Sequence, residues 1–160
     1  MVKKKKKEEN KSFAAVQWMS DKVAVLESIA IGILLIGLVG GYLRLPFSNP
    51  FIIFGFGSLA MLCYILGYAE PKDPTLTAVE KVLLVARGSA TAVCLIGILF
   101  SLQAWIGNRN LLVVGAISLG TVLAAMVYFH LTRKDSKDFS IENLLKTGVI
   151  LVVTLAKLFI

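Results

Sequence analysis

The sequence has few of the side chains from which metal centres, disulfide frameworks and most catalytic sites are built. Its 160 residues include one histidine and two cysteines. Cys63 and Cys94 both fall within long apolar stretches, where small packing residues are expected and neither a disulfide nor a metal site is indicated. The sequence has no glycine-rich phosphate loop, no nucleophile elbow and no paired His or carboxylate motif. We therefore predict no catalytic residue, no metal site, no cofactor and no enzymatic activity.

Charge is also scarce, at 17% of the residues, and no carboxylate lies in the middle of an apolar stretch. This excludes a proton relay of the usual kind, which needs ionisable groups at that depth. His130 and Lys157 lie near the ends of such stretches, where amphipathic side chains reach the membrane interface. Ser58, Ser118 and Thr121 are the remaining polar candidates at helical spacing, and hydroxyls often bond only their own backbone.

Apolar residues dominate instead: 57% of the chain is hydrophobic, against about 45–50% in soluble domains. A membrane helix must span about 30 Å at 1.5 Å per residue, and must satisfy its own backbone hydrogen bonds. The sequence predicts an all-α, polytopic transmembrane helical bundle. The five predicted spans cover residues 23–43, 51–68, 82–105, 111–130 and 144–160.

The chain matches itself without a gap at an offset of 60 residues. Residues 25–68 and 85–128 share nine identities in 44 positions, including paired glycines and a Ser-Leu dipeptide. Each matching unit holds two spans, so both units enter the membrane from the same side as parallel repeats. We predict two tandem helical hairpins and a fifth helix.

This organisation divides the chain into six segments. The first is a basic cytoplasmic tail whose end forms either a short interfacial helix with Trp18 at headgroup level or an extension of the first span. Thr77 and Glu80 form a possible capping box for the third helix, and Ser140 is placed to start the fifth. The segments are residues 1–22 (tail), 23–70 (hairpin one), 71–81 (linker), 82–131 (hairpin two), 132–143 (basic loop) and 144–160 (fifth span).

The basic residues indicate the orientation of the chain. With the N-terminus inside, 14 of the 17 lysines and arginines fall in cytoplasmic segments, as the positive-inside rule requires. The net charge of +7 therefore describes topology and does not indicate a nucleic-acid partner. We predict a bacterial inner-membrane protein with a cytoplasmic N-terminus and a periplasmic C-terminus, in contact with the bilayer and with anionic lipids at its basic tail.

Several residues are candidates for helix contacts. Small residues at a spacing of four allow close packing in lipid, and Glu27 and Arg87 lie at equivalent repeat positions, where they either pair or extend separately to the headgroups. Turn-forming residues close each hairpin on its outer side. The packing candidates are Gly37, Gly41, Ala116, Gly120 and Ala124, and the outer-turn candidates are Pro46, Phe47, Asn49, Trp105 and Gly107.

The first hairpin resembles a known membrane family. The sequence YLRLPFSN at residues 42–49, Gly55 and ILGYAEP at residues 65–71 are similar to the transmembrane hairpin of the GldL/PorL family of Bacteroidetes inner-membrane proteins. The sequence LFSLQAWIG at residues 99–107 looks like the same turn in a second copy. The resemblance implies a hairpin from a proton-driven motor that powers gliding and type IX secretion together with a periplasmic partner.

This chain has other residues at the positions that carry the motor chemistry of that family. The membrane glutamate expected from the resemblance falls at Leu59 in the first hairpin and Leu119 in the second. The intramembrane lysine falls at Gly41 and Ser101, and the histidine before the turn falls at Arg44 and Ala104. The resemblance therefore implies shared architecture more than shared activity.

The absence of buried chemical groups favours a non-catalytic membrane scaffold or an accessory subunit of a membrane protein complex, with a protein partner. The main alternative is a small transporter or channel built from duplicated hairpins. A third alternative, a membrane enzyme acting on lipid headgroups, would need catalytic residues in the inner loops at residues 70–81 or 130–138, which are more typical of solvated helix caps.

Overall fold

A computed structural model describes residues 22–69, 76–132 and 140–159, and in these ranges every regular element is an α-helix. The basic tail with Trp18, residues 70–75 before the third helix, residues 133–139 before the fifth and residue 160 lie outside the described residues. Two helices precede the linker and three follow it. The helices are α1 (Val23–Tyr42), α2 (Ser48–Gly67), α3 (Ala78–Leu102), α4 (Asn108–Thr132) and α5 (Ile141–Phe159).

Helices α1 to α4 are each long and apolar enough to cross a bilayer, so the chain is a multi-pass membrane protein with four candidate spans. Helix α5 is not among these four. Its 19 residues carry Glu142, Lys146 and Lys157, and charged groups are costly to insert. The predicted all-α bundle is confirmed, and the fifth span stays a prediction.

Large apolar side chains cover the outside of the bundle. Val39 on α1, Phe54 on α2 and Ile117 on α4 are each more than half exposed. A soluble protein rarely exposes contiguous apolar area on this scale, whereas hydrocarbon is the natural neighbour of such a surface. The helices therefore meet lipid over most of their outer faces.

The helices pack in chain order, each on the next, and α5 lies against both α3 and α4. Helix α3 is central because it contacts α2, α4 and α5. Its buried residues Ala92, Leu95 and Leu99 join Ile52 and Phe56 of α2 in the largest apolar cluster. The hairpin α1–α2 is therefore joined to the rest of the described bundle mainly through the α2–α3 interface.

The predicted start of the third helix is confirmed. The Thr77 backbone N–H donates to Glu80 Oε2 over 2.6 Å, and the Glu80 backbone N–H donates back to Thr77 Oγ1 over 3.4 Å. This reciprocal capping box satisfies two N–H groups that have no partner within the helix. It extends α3 to Ala78, four residues before the predicted span.

The two outer turns are shorter than the sequence suggested. The predicted second span begins at residue 51, which leaves Pro50 in the connection, but α2 begins at Ser48 and holds Pro50 in its first helical turn. Proline is tolerated there because the first N–H groups of a helix have no intrahelical acceptor. In the same way α4 begins at Asn108, inside the predicted second turn.

Both outer turns have the same backbone geometry. The Leu45 N–H donates to the Gly40 carbonyl over 2.8 Å, and the Trp105 N–H donates to the Phe100 carbonyl over 2.9 Å. The residue before each donor, Arg44 or Ala104, has a positive φ of 55° or 53°. This geometry is the Schellman motif at the end of a helix. Glycine usually occupies its positive-φ position, because side chains are strained there.

Candidate functional site

Backbone-to-backbone contact holds the first hairpin together. A methyl group built on Gly37 would lie 2.6 Å from the backbone nitrogen of Ile52, and one on Gly55 would lie 2.7 Å from Leu34 Cα. These distances are too short for any side chain. Glycine therefore sets the separation of α1 and α2 at both places, as expected where small residues allow helices to pack closely in lipid.

The second hairpin uses the same pairs of positions, 60 residues later. A methyl group on Gly97 would lie 3.2 Å from the backbone nitrogen of Leu112. One on Gly115 would lie 2.9 Å from Cys94 Sγ and 3.2 Å from its Cα. The α3–α4 interface thus repeats the geometry of the α1–α2 interface, with slightly more room.

A different glycine pair joins the two hairpins. A methyl group on Gly88 of α3 would lie 2.5 Å from the Cys63 carbonyl oxygen and 2.8 Å from Gly67 Cα on α2. Sequence reasoning missed both glycines because they belong to different helices and form no spacing motif. The one sequence feature that could have indicated Gly67 is its position among bulky residues, in the run Ile65-Leu66-Gly67-Tyr68.

Helix α5 turns two threonines inward together with Leu144, Ile150, Leu151 and Leu158, and exposes other large apolar residues on its opposite side. Thr147 and Thr154 are 4% and 0% exposed, whereas Val149 and Val152 are 62% and 65% exposed. Each threonine hydroxyl donates to the carbonyl four residues earlier, and Thr154 is also in hydrogen-bonding contact with the buried Cys94. A helix on the surface of a soluble protein would instead carry polar residues on its outer side.

Two apolar grooves run between α4 and α5 and open sideways. Their volumes are about 330 Å³ and 460 Å³. Gly120 lies in the first and Gly148 in the second, and a methyl group on either would meet nothing within 4 Å. The first groove is also lined by Val113, Ala116, Ile117, Leu151, Leu155 and Leu158, and the second by Leu123, Val127, Ile141, Leu144, Leu145, Val149, Val152 and Val153.

Charged side chains of α1 and α5 meet at Lys146. Lys146 Nζ of α5 lies 3.2 Å from Glu27 Oε2 of α1 and 3.2 Å from Glu142 Oε1 of its own helix. The charges of Glu27, Arg87 and Lys146 are all close enough to act on the Cys63 thiol. The Glu27–Lys146 pair was not predicted, because the sequence repeat drew attention only to Arg87. Pairing of Glu27 with Arg87 stays a prediction.

The predicted packing residues have different surroundings. Gly37 and Ala116 are buried, whereas Gly41 and Ala124 are exposed and Gly120 faces the groove. Gly40, not Gly41, is the second buried glycine of α1: a methyl group on it would lie 3.3 Å from Ser48 Cβ. A methyl group on Gly41 would lie 3.8 Å from Ile52 Cδ1, so Gly41 also lies beside α2, but Gly40 approaches α2 more closely.

The predicted turn residues also fall at different places. Pro46, Phe47, Trp105 and Gly107 lie in the connections, Gly107 with a φ of 89°, while Asn49 lies in the first turn of α2. The Phe47 ring packs edge-on against Phe51, with centroids 6.0 Å apart, and Trp105 packs against Phe100 at 4.9 Å.

The polar candidate Thr121 lies on α4. The Thr121 hydroxyl donates to the Ser118 carbonyl over 2.8 Å, so this predicted polar residue bonds its own helix. Within the described ranges, no three side chains of His, Cys, Asp or Glu lie close enough together to hold a metal ion.

Comparison of the chain with family models, with curated proteins and with solved structures finds no match in any of the three. The resemblance to the GldL/PorL hairpin therefore stays a prediction.

Proposed function

We propose that this chain is a non-catalytic membrane scaffold or accessory subunit that binds the transmembrane helix of a partner protein in the grooves between α4 and α5. The observation that carries the proposal is the free space beside Gly120 and Gly148 on a lipid-facing surface. Small residues on such a surface let a second helix approach closely, and lipid offers no hydrophobic drive that could replace this fit.

The alternative, a small transporter or channel, has weaker support. The hydroxyl groups of Thr121, Thr147 and Thr154 donate to carbonyls of their own helices, which leaves them poorly suited to carry an ion or a polar solute. Both grooves are lined by apolar side chains and open to the side.

Leucine at Gly120 and Gly148 is expected to block the partner. We expect G120L/G148L to fill the grooves without disturbing the fold, because the added Cβ atom meets nothing within 4 Å at either position and the rest of the side chain can extend into the groove. The matched control is G32L/G57L on α1 and α2, where a methyl group also meets nothing within 4 Å. Native mass spectrometry of each variant, extracted gently from its own membrane, would give the stoichiometry of the bound protein.

Loss of most of the bound partner in the groove variant alone supports the proposal. Equal amounts of partner with both variants would place the contact elsewhere. If the chain is extracted from the membrane without a bound protein and moves a solute or ion in liposomes, the transporter would be favoured.

We further propose that the two hairpins arose by duplication and are parallel repeats. The support lies in equivalent contacts. The Gly37–Ile52 and Gly97–Leu112 contacts are 60 residues apart in the sequence, as are the two Schellman turns. Four spans in two such units return the chain to the side from which it entered. The positive-inside rule makes that side cytoplasmic, and a bacterial inner membrane fits the resemblance to the GldL/PorL family.

Helix α5 is, in this proposal, a fifth span. Its outer side exposes large apolar residues such as Leu145, Val149 and Val152, which suits a lipid neighbour rather than water. Reporters fused after Ser140 and after Phe159 would test this. We expect green fluorescence, which requires the cytoplasm, only at Ser140, and alkaline phosphatase activity, which requires the periplasm, only at Phe159. Fluorescence at both sites would show that α5 does not cross.

A further inference from the structure

The first and last described helices, α1 and α5, approach each other without packing. Within the described chain α1 packs on α2 alone, and α5 packs on α3 and α4. Their backbones are separated by a gap, and the long side chains of Glu27 and Lys146 reach across it to within 3.2 Å. Among the described residues, one charged pair thus connects two helices that share no apolar interface.

The pair lies at the level of Cys63 on α2, because the contacts of Gly37 with Ile52 and of Gly55 with Leu34 set a register that places residues 26 and 63 side by side. The Cys63 thiol is half-buried there and lies within the electrostatic influence of Glu27, Arg87 and Lys146. Lys146 also forms an ion pair with Glu142, one turn earlier in the same helix.

The position of the pair along the helices makes it effective. Glu27 is the fifth residue of α1 and Lys146 the sixth of α5, so both lie roughly 6–8 Å inside the helix ends at 1.5 Å per residue. Opposite charges attract more strongly near hydrocarbon than in water, and a partner removed there leaves a charge that draws in water.

We propose that the Glu27–Lys146 pair is a latch that closes the gap between α1 and α5 over Cys63. With the latch formed, α1 is held beside α5 and water is kept from the Cys63 side of α2. When the pair is broken, α1 moves away with no apolar interface to α5 to hold it, and Cys63 becomes accessible. This proposal goes beyond partner binding in the α4–α5 grooves and does not depend on it.

The two native cysteines provide the test. Cys94 is 0% exposed beneath α5 and serves as an internal control for folding. The full chain in lipid nanodiscs is treated with a small water-soluble maleimide, and labelling of each cysteine is followed by peptide mass spectrometry. We expect E27Q and K146Q to label at Cys63 at least tenfold faster than wild type, with Cys94 still protected. E142Q, which leaves the pair in place, is expected to label at the wild-type rate.

A reversed pair, E27K/K146E in the E142Q background, is expected to return Cys63 to slow labelling. An unchanged Cys63 rate in both E27Q and K146Q would overturn the latch. If Cys94 also reacts in the single variants, those chains have unfolded and the reversed pair decides: slow labelling of Cys63 supports the latch, and fast labelling overturns it.

Discussion

Alanine at Gly88 is expected to lower the free energy of unfolding by about 3 kcal/mol, at the upper end of typical overpacking costs. The new methyl group would lie 2.5 Å from the Cys63 carbonyl oxygen and 2.8 Å from Gly67 Cα. Both neighbours are backbone atoms, which cannot turn aside as a flexible side chain can. Helices α2 and α3 must therefore move apart at this contact.

The consequences should extend beyond one position, because α2–α3 is the main packed interface between the two hairpins. Reversible unfolding in mixed micelles, followed by circular dichroism, would measure the loss. The matched control is G32A, where the added methyl group meets nothing within 4 Å and stability should change by less than about 1 kcal/mol. A stability of G88A equal to that of G32A would contradict the close approach of α2 and α3.

Gly67 offers a graded comparison at the same interface. A methyl group there would lie 3.2 Å from the Val85 carbonyl oxygen and 3.3 Å from Gly88 Cα. Such contacts are tight but can be relieved by small shifts, so the cost should fall between those of G32A and G88A. This order follows from the distances alone, since all three substitutions add the same methyl group to a helical glycine.

Much of the fold could be predicted from the sequence, because apolar length and repeat spacing report on it directly. The first span was predicted to end at residue 43 and α1 ends at Tyr42; the capping box of Thr77 and Glu80 is present as predicted. Errors concentrate at Pro50 and Asn108, where helices begin within predicted turns. Residues typical of turns are also acceptable in the first turn of a helix, so composition alone does not separate the two.

The contacts that join helices were harder to predict. A spacing of four between Gly37 and Gly41 describes one helix, but the contact depends on where the other helix crosses, and α2 crosses nearer Gly40. For Glu27, the repeat offered Arg87, whereas Lys146 reaches it from a helix outside the repeat. Sequence offset carries no information about how α5 folds back onto α3 and α4.

Alanine at Gly115 is expected to cost about 2 kcal/mol, and alanine at Cys94 in the same chain should recover more than half of that loss. The atom nearest to the new methyl group is Cys94 Sγ at 2.9 Å, followed by Cα at 3.2 Å and the backbone nitrogen at 3.3 Å. Removing the sulfur leaves only contacts that a small shift can relieve. A double-mutant cycle of G115A and C94A, measured by the same unfolding assay, gives the coupling free energy.

The first hairpin supplies the control for this cycle. A methyl group on Gly55 would meet Leu34 Cα at 2.7 Å, Leu34 Cβ at 2.7 Å and its backbone nitrogen at 2.9 Å. Alanine at Leu34 keeps all three of these atoms, so L34A should give G55A no relief and the two costs should add. Coupling at 94–115 without coupling at 34–55 would show that the two hairpins share positions but differ in the atoms that meet there. Equal coupling in both hairpins, or none in either, would contradict these interfaces.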